Sequence, residues 1–115
     1  MYADPLLGRV LYNLIDNALR YGGEQMTVIR ILSQESIRGL MIVCEDDGVG
    51  IPAGKKEAIF NRGYFKHTGF GLFLSREILA ITGSTITETG EYGKGARFEI
   101  TVPKGAYRFT GTGEK

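Results

Sequence analysis

A chain of 115 residues with 43% hydrophobic content lies in the range of one domain and can supply one sizeable core. Fourteen Lys plus Arg against thirteen Asp plus Glu leave a net charge of +1, which gives no bulk attraction to nucleic acid or anionic lipid, so any basic site must be local. A single cysteine excludes an internal disulfide, no apolar run approaches the about 20 residues of a membrane span, and the start Met-Tyr-Ala-Asp-Pro lacks the regions of a signal peptide.

In chain order, Asp4-Pro5 sets an N-cap carboxylate before a proline at the first helical position, and Leu7, Val10, Leu11, Leu14 and Ala18 then recur at helical spacing. This predicts an amphipathic helix ending at Gly22-Gly23. Met26 to Leu32 is rich in β-formers, and Leu40 to Glu45 is a continuous apolar run in which Cys44 fits as a small core residue. With Gly39 in the turn between them, the two runs predict a hairpin. An Asp- and Gly-rich loop follows. Lys55 to Phe60 is expected as a short helix after Pro52, and Phe70 to Thr82 as a longer one closed by Gly83. Ser84 to Thr89 and Ala96 to Val102 predict two strands joined by a glycine-rich turn, the second with Phe98, Ile100 and Val102 on one face and ended by Pro103. Residues 1–104 are expected to form the domain and residues 105–115 a loosely held tail. Two hairpins, with helices before and between them, predict an α+β two-layer sandwich: a mixed, mostly antiparallel sheet with helices packed on one face.

Four stretches carry chemistry. Asn13, Asn17 and Arg20 are spaced four and three apart on one helix face, read as the face opposite the leucine stripe. Neutral amide oxygens beside a guanidinium suit a magnesium ion on a polyphosphate, although a solvated polar face shows the same spacing. Asp46-Asp47-Gly48-Val49-Gly50-Ile51-Pro52 stands where a buried strand exits into a loop, so a carboxylate can accept from an exocyclic amine while the glycines let a flat base approach the backbone. An ordinary β-turn is the competing reading. Gly69-Phe70-Gly71-Leu72 opens a helix whose free N–H groups favour phosphate, with Lys66 and His67 just upstream; it matches neither a Walker loop nor a dinucleotide fingerprint. Gly93-Lys94-Gly95-Ala96-Arg97-Phe98 reads, taken alone, as a hairpin turn.

In this order the four resemble the boxes of the Bergerat-fold ATPases, and among them the catalytic domain of sensor histidine kinases: an N box at Asn13 to Tyr21, a G1 box at Asp46 to Gly50, an F box at Ile59-Phe60 and Gly63-Tyr64-Phe65, a G2 box at Gly69 to Leu72, and a terminal Gly-x-Gly-x-x-Phe at Gly93 to Phe98. The resemblance spans about residues 4 to 103. It implies ATP and magnesium as ligands, with Asn17 on the metal, Asn13 near metal and phosphates, Arg20 on a phosphate and Tyr21 flanking the nucleotide. Asp46 would hold the adenine amine, and Gly48, Gly50 and Ile51 would line the base. Gly69, Gly71 and Leu72 would sit at the phosphates, with Phe60, Lys66, His67, Thr68, Phe70 and Arg97 as the remaining contacts. Water-hydrolysing relatives such as topoisomerases carry a Glu base where Asn13 stands, and an amide cannot be that base. The implied reaction is therefore transfer of the γ-phosphoryl group to a histidine on a separate upstream helical hairpin that also dimerises the parent, with a response-regulator receiver domain further on.

The same resemblance implies a cytoplasmic domain without nucleic-acid or membrane contact of its own, in a soluble or membrane-anchored parent. Phe60, Tyr64 and Phe65 are expected to present aromatic side chains to the incoming hairpin. The lid, Lys66-His67-Thr68, is short, and His67 lacks the acidic neighbour of a phosphoacceptor. A serine kinase or ATPase of the same superfamily, and a degenerate nucleotide-binding docking module, are the alternative readings.

Overall fold

The computed structural model describes residues 5–37, 39–61 and 71–103. Helix α1 runs Pro5–Tyr21, strands β1 and β2 are Ile29–Ser36 and Gly39–Asp46, 3-10 turns occupy Ala53–Lys55 and Ala58–Phe60, helix α2 is Gly71–Ile81, and strands β3 and β4 are Thr85–Glu88 and Arg97–Pro103. The sheet order is β1-β2-β4-β3, and every pair of these strands is antiparallel.

The core follows from two periodicities. Along β4 every second residue, Phe98, Ile100 and Val102, is buried, and Ile100 is registered against Ile42 on β2 and Ile86 on β3, so one apolar row crosses three strands. Against that face α1 lays Leu7, Val10, Leu14 and Ala18, and α2 lays Leu72, Ser75 and Leu79. Each large side chain fully removed from water there contributes about 1.5–3 kcal/mol. Beyond α2, Gly83 (φ +76°) donates to Ala80 and Ser84 donates to Leu79 at 3.0 and 2.9 Å, the paired bonds of a left-handed helix cap. Arg76 lies over the Phe60 ring, 4.1 Å from its centroid, and pairs with Glu57 at 3.1 Å, which fastens the second 3-10 turn to α2. The same guanidinium, by hydrogen bond and charge, holds the Glu57 carboxyl below its ordinary pKa.

Two elements differ from expectation. The first strand begins at Ile29 rather than Met26, because the Asp47 carboxylate takes the N–H groups of Thr27 and Val28 at 2.7 and 3.0 Å, and the Thr27 hydroxyl as well. These donors are bound to a side chain instead of a strand ladder. The segment from Lys55 to Phe60 is not one helix: Lys55 donates to Pro52 and Phe60 to Glu57, each three residues back, as in 3-10 turns. Six residues with a glycine just before them do not repay the cost of an α-helical nucleus. The Asp4 cap, Phe70 and the tail lie outside the described residues.

Candidate functional site

Three backbone segments meet at the C-terminal end of α1 and make the site. Val49 N–H donates to the Gly22 carbonyl at 2.9 Å, Gly93 N–H to Val49 at 2.7 Å, and Asp46 N–H to Ala96 at 2.9 Å. Such close approach explains the glycines. A Cβ on Gly48 would stand 2.3 Å from the Gly22 oxygen, and one on Gly95 would stand 1.9 Å from the Asp46 oxygen, where Gly95 also has φ +147°. Gly48 therefore serves the contact between loop and helix end and does not line the cleft, as had been expected of it.

The cleft these segments enclose is lined by Leu14, Asn17, Ala18, Tyr21 and Gly22 on one side and by Cys44, Asp46, Gly50, Ile51, Ala96 and Phe98 on the other. About 360 Å³ of free space opens to solvent, but only about 20 Å³ admits a water-sized body, room for about one water. Cys44 is buried in this wall, and burial first, then the charges of Asp46 and Glu45, push its thiol up to about 11, so it stays a neutral apolar surface.

Besides Tyr21, whose hydroxyl is buried, Asp46 and Asn17 are the polar side chains of the cleft among the described residues. Asp46 Oδ1 accepts from Gly48 N–H at 2.8 Å and Ala96 N–H at 3.3 Å, which fixes the carboxylate, and Oδ2 takes no hydrogen bond from the described residues. Asn17 is 6% exposed, and its Oδ1 is buried with no hydrogen-bond partner among the described residues. An orphaned amide oxygen of this kind fits a hard cation. Its place corrects the sequence reading, because Asn17 follows Leu14 by three residues and Val10 by seven and so flanks the leucine stripe rather than opposing it.

Asn13 joins two boxes distant in sequence: its Nδ2 donates to the Gly71 carbonyl at 3.3 Å and to Ser75 Oγ at 3.2 Å, holding the start of α2 against α1. Arg20 is half exposed and pairs with Asp16 at 3.0 Å, outside the cleft. Leu72 is a core residue, 3% exposed. Phe60 is likewise buried at 3%, edge-on to Phe98 at 6.2 Å, so it offers no aromatic surface to a docking helix. Arg97 faces the other side of the sheet from Phe98 and meets Glu45 at 3.4 Å and Glu99, away from the cleft. Strand parity accounts for this, since neighbours on a strand point to opposite faces. Tyr64, Phe65, Lys66, His67, Thr68, Gly69 and Phe70 lie outside the described residues.

Sequence reasoning missed a buried ion pair behind the cleft, Lys56 with Glu88, whose carboxylate is fully enclosed. The available signal was a charged residue at the inward parity of β3, two places after Ile86.

The profile described as "Histidine kinase-, DNA gyrase B-, and HSP90-like ATPase" matches residues 3–106. Sensor histidine kinase ZraS of Escherichia coli O157:H7 is 42% identical over 106 residues, covering 88% of this chain and 23% of that protein. Sensor protein KdpD of Escherichia coli is 34% identical over 107 residues, covering 87% of this chain and 12% of that protein. The chain thus spans less than a quarter of the length of these two relatives. Among solved structures, the catalytic domain of histidine kinase ThkA superposes with a TM-score of 0.76 at 31% identity, covering 89% of this chain and 70% of that one. Box order, a cleft built where the N, G1 and terminal glycine boxes meet and these likenesses agree: the chain belongs to the family of histidine kinase-, DNA gyrase B- and HSP90-like ATPases, as an ATP-binding catalytic domain of the sensor histidine kinase type.

Proposed function

We propose that this domain binds magnesium–ATP in the cleft between α1 and the end of β2 and delivers the γ-phosphoryl group to a histidine on an upstream helical hairpin of the same cytoplasmic, homodimeric parent. From there the group would pass to a response-regulator receiver domain. The observation that carries the reading is a fixed carboxylate, Asp46, sharing one cleft with the unpartnered amide oxygen of Asn17.

Asp46 Oδ2 accepts from the adenine amine, while Leu14, Ala18, Ile51 and Phe98 give the base an apolar bed. Asn17 Oδ1 would hold the magnesium ion, which would supply charge neutralisation at the phosphates. Asn13 takes no proton from water, being an amide, and it keeps α2 against α1 at the phosphate end. The protein's contribution is positioning and charge, and the acceptor comes from another domain.

Calorimetric titration with ATP, GTP and adenosine, with and without magnesium, tests the assignment. Asp46→Asn should cost ten- to hundredfold in adenosine and ATP affinity, the worth of about 1.5–3 kcal/mol for a hydrogen bond to a charged group. Asn17→Ala should remove the magnesium-dependent part of ATP affinity and spare adenosine. Equal affinity for ATP and GTP in the unmodified chain would overturn the role of Asp46, and an equal loss of adenosine and ATP in Asn17→Ala would overturn that of Asn17.

A further inference from the structure

Strand β3 alternates exposed and buried residues, Thr85, Ile86, Thr87, Glu88, so its last residue points into the core. In register, Glu88 lies beside Phe98, and Phe98 beside Cys44; the latter two line the cleft. A carboxylate thus occupies an apolar row. Both of its oxygens are bonded: Oε1 takes the Lys56 ammonium, and Oε2 takes the N–H groups of Gly90 at 3.1 Å and Arg97 at 2.9 Å. Lys56 completes its three donors on the carbonyls of Ile51 at 3.2 Å and Gly90 at 3.0 Å.

Neither side chain lines the cleft, yet the Ile51 carbonyl and the Arg97 N–H they hold belong to its wall or adjoin it, and the two Gly90 groups belong to the turn that leads to the lining residue Ala96. Ile51 is itself a lining residue and follows Gly50, Arg97 lies between the lining residues Ala96 and Phe98, and Gly90 opens the turn that carries Gly93 and Gly95. The fit beneath that turn is close, since a Cβ on Gly90 would stand 2.8 Å from Glu88 Oε2. Burying such a pair gains little stability over an apolar pair of the same volume, because desolvation offsets the attraction. What an apolar pair cannot do is bond four backbone groups of two separate loops.

We infer that the Lys56–Glu88 pair is a positioning clamp that fixes the base-facing wall formed by Gly50, Ile51 and Ala96, and so sets affinity for the adenosine half of the nucleotide without touching it. The inference rests on the nucleotide reading above and extends it to residues behind the cleft.

The test uses the full chain with Glu88→Gln, which keeps size and an accepting oxygen, and the double variant Lys56→Met/Glu88→Leu, which replaces the pair by apolar volume. Adenosine and ATP affinities, the ratio of ATP affinity with and without magnesium, and the thermal midpoint are measured together. The expected result is a loss of at least fivefold for adenosine and ATP alike in both variants, with the magnesium ratio unchanged, and a thermal midpoint in the double variant at or above that of the unmodified chain. If the double variant recovers affinity along with stability, the pair is structural only and the clamp is overturned. Adenosine affinity within twofold of the unmodified chain in Glu88→Gln overturns it as well, and this variant decides the matter if the double one does not fold. An unmodified chain that binds no adenine nucleotide removes the nucleotide reading itself, whereas one that binds while the variants match it removes the clamp alone.

Discussion

At the scale of single residues, two adjacent carboxylates have different tasks because of what surrounds each. Asp46 is half-buried and held through one oxygen, which keeps the other available to a ligand. Asp47 points outward and caps the entry to β1, where the hydroxyl and N–H of Thr27 and the N–H of Val28 draw its pKa down to about 2. A folded-state pKa below the unfolded value means that Asp47 favours the folded chain above the ordinary aspartate range, and that this contribution is lost as pH falls from about 4 to about 2. Thermal midpoints measured from pH 5 to pH 2 should therefore fall less steeply in Asp47→Asn than in the unmodified chain. Parallel curves for the two proteins would show that the cap carries no pH-linked stability.

At the scale of elements, the turn between β3 and β4 is tightly constrained at Gly90 and Gly95 and open at Gly93. Gly95→Ala would drive a Cβ into the Asp46 carbonyl and require a backbone conformation that L-residues rarely adopt, a cost of at least about 1–3 kcal/mol before the strand ends move apart. Gly8 is the contrast. It sits within α1, exposed, with nothing within 4 Å of an added Cβ, so Gly8→Ala should stabilise by roughly 0.5–1 kcal/mol through helix propensity alone. Urea denaturation of the two variants gives both signs in one experiment, and Gly95→Ala should also weaken ATP binding because Asp46 N–H is tied to the same turn.

At the scale of the whole molecule, the described residues form one two-layer sheet-and-helix body, and none of their helices is long and apolar enough to cross a membrane. The cleft carries one amide side chain, Asn17, and one carboxylate, Asp46, and Asn13, being an amide, gives water no activation. The chain alone should show negligible ATP hydrolysis and no acid-labile self-phosphorylation. A separately produced hairpin from its own parent should become phosphorylated on histidine, slowly and in proportion to concentration, since the tether's effective concentration is lost. Radiolabelled ATP and the acid and base stability of the product read the outcome. Strong hydrolysis by the chain alone would place it with the ATPases of the superfamily, and an acid-stable, base-labile product would place it with the serine kinases.

Both long helices and all four strands were legible in order from the sequence, because hydrophobic periodicity, the Gly83 cap and the strand alternation of Phe98, Ile100 and Val102 are local consequences of backbone geometry, whereas the start of β1 and the 3-10 turns were not. The order of the boxes also led to the expectation that Asp46 and Asn17 share a site, and both line one cleft. The tertiary structure alone decided which polar residues reach the cleft. Periodicity says which residues share a face of their own element and nothing about what covers that face, so Asn17 lies buried beside the leucines while Arg20 turns to Asp16, and Arg97 and Phe60 fall away from the roles expected of them. For the pairing of Lys56 with Glu88, 32 residues apart, the inward parity of Glu88 marked one member and nothing local marked the other: a lysine becomes the partner of a buried carboxylate only when folding brings its loop against the strand that carries it.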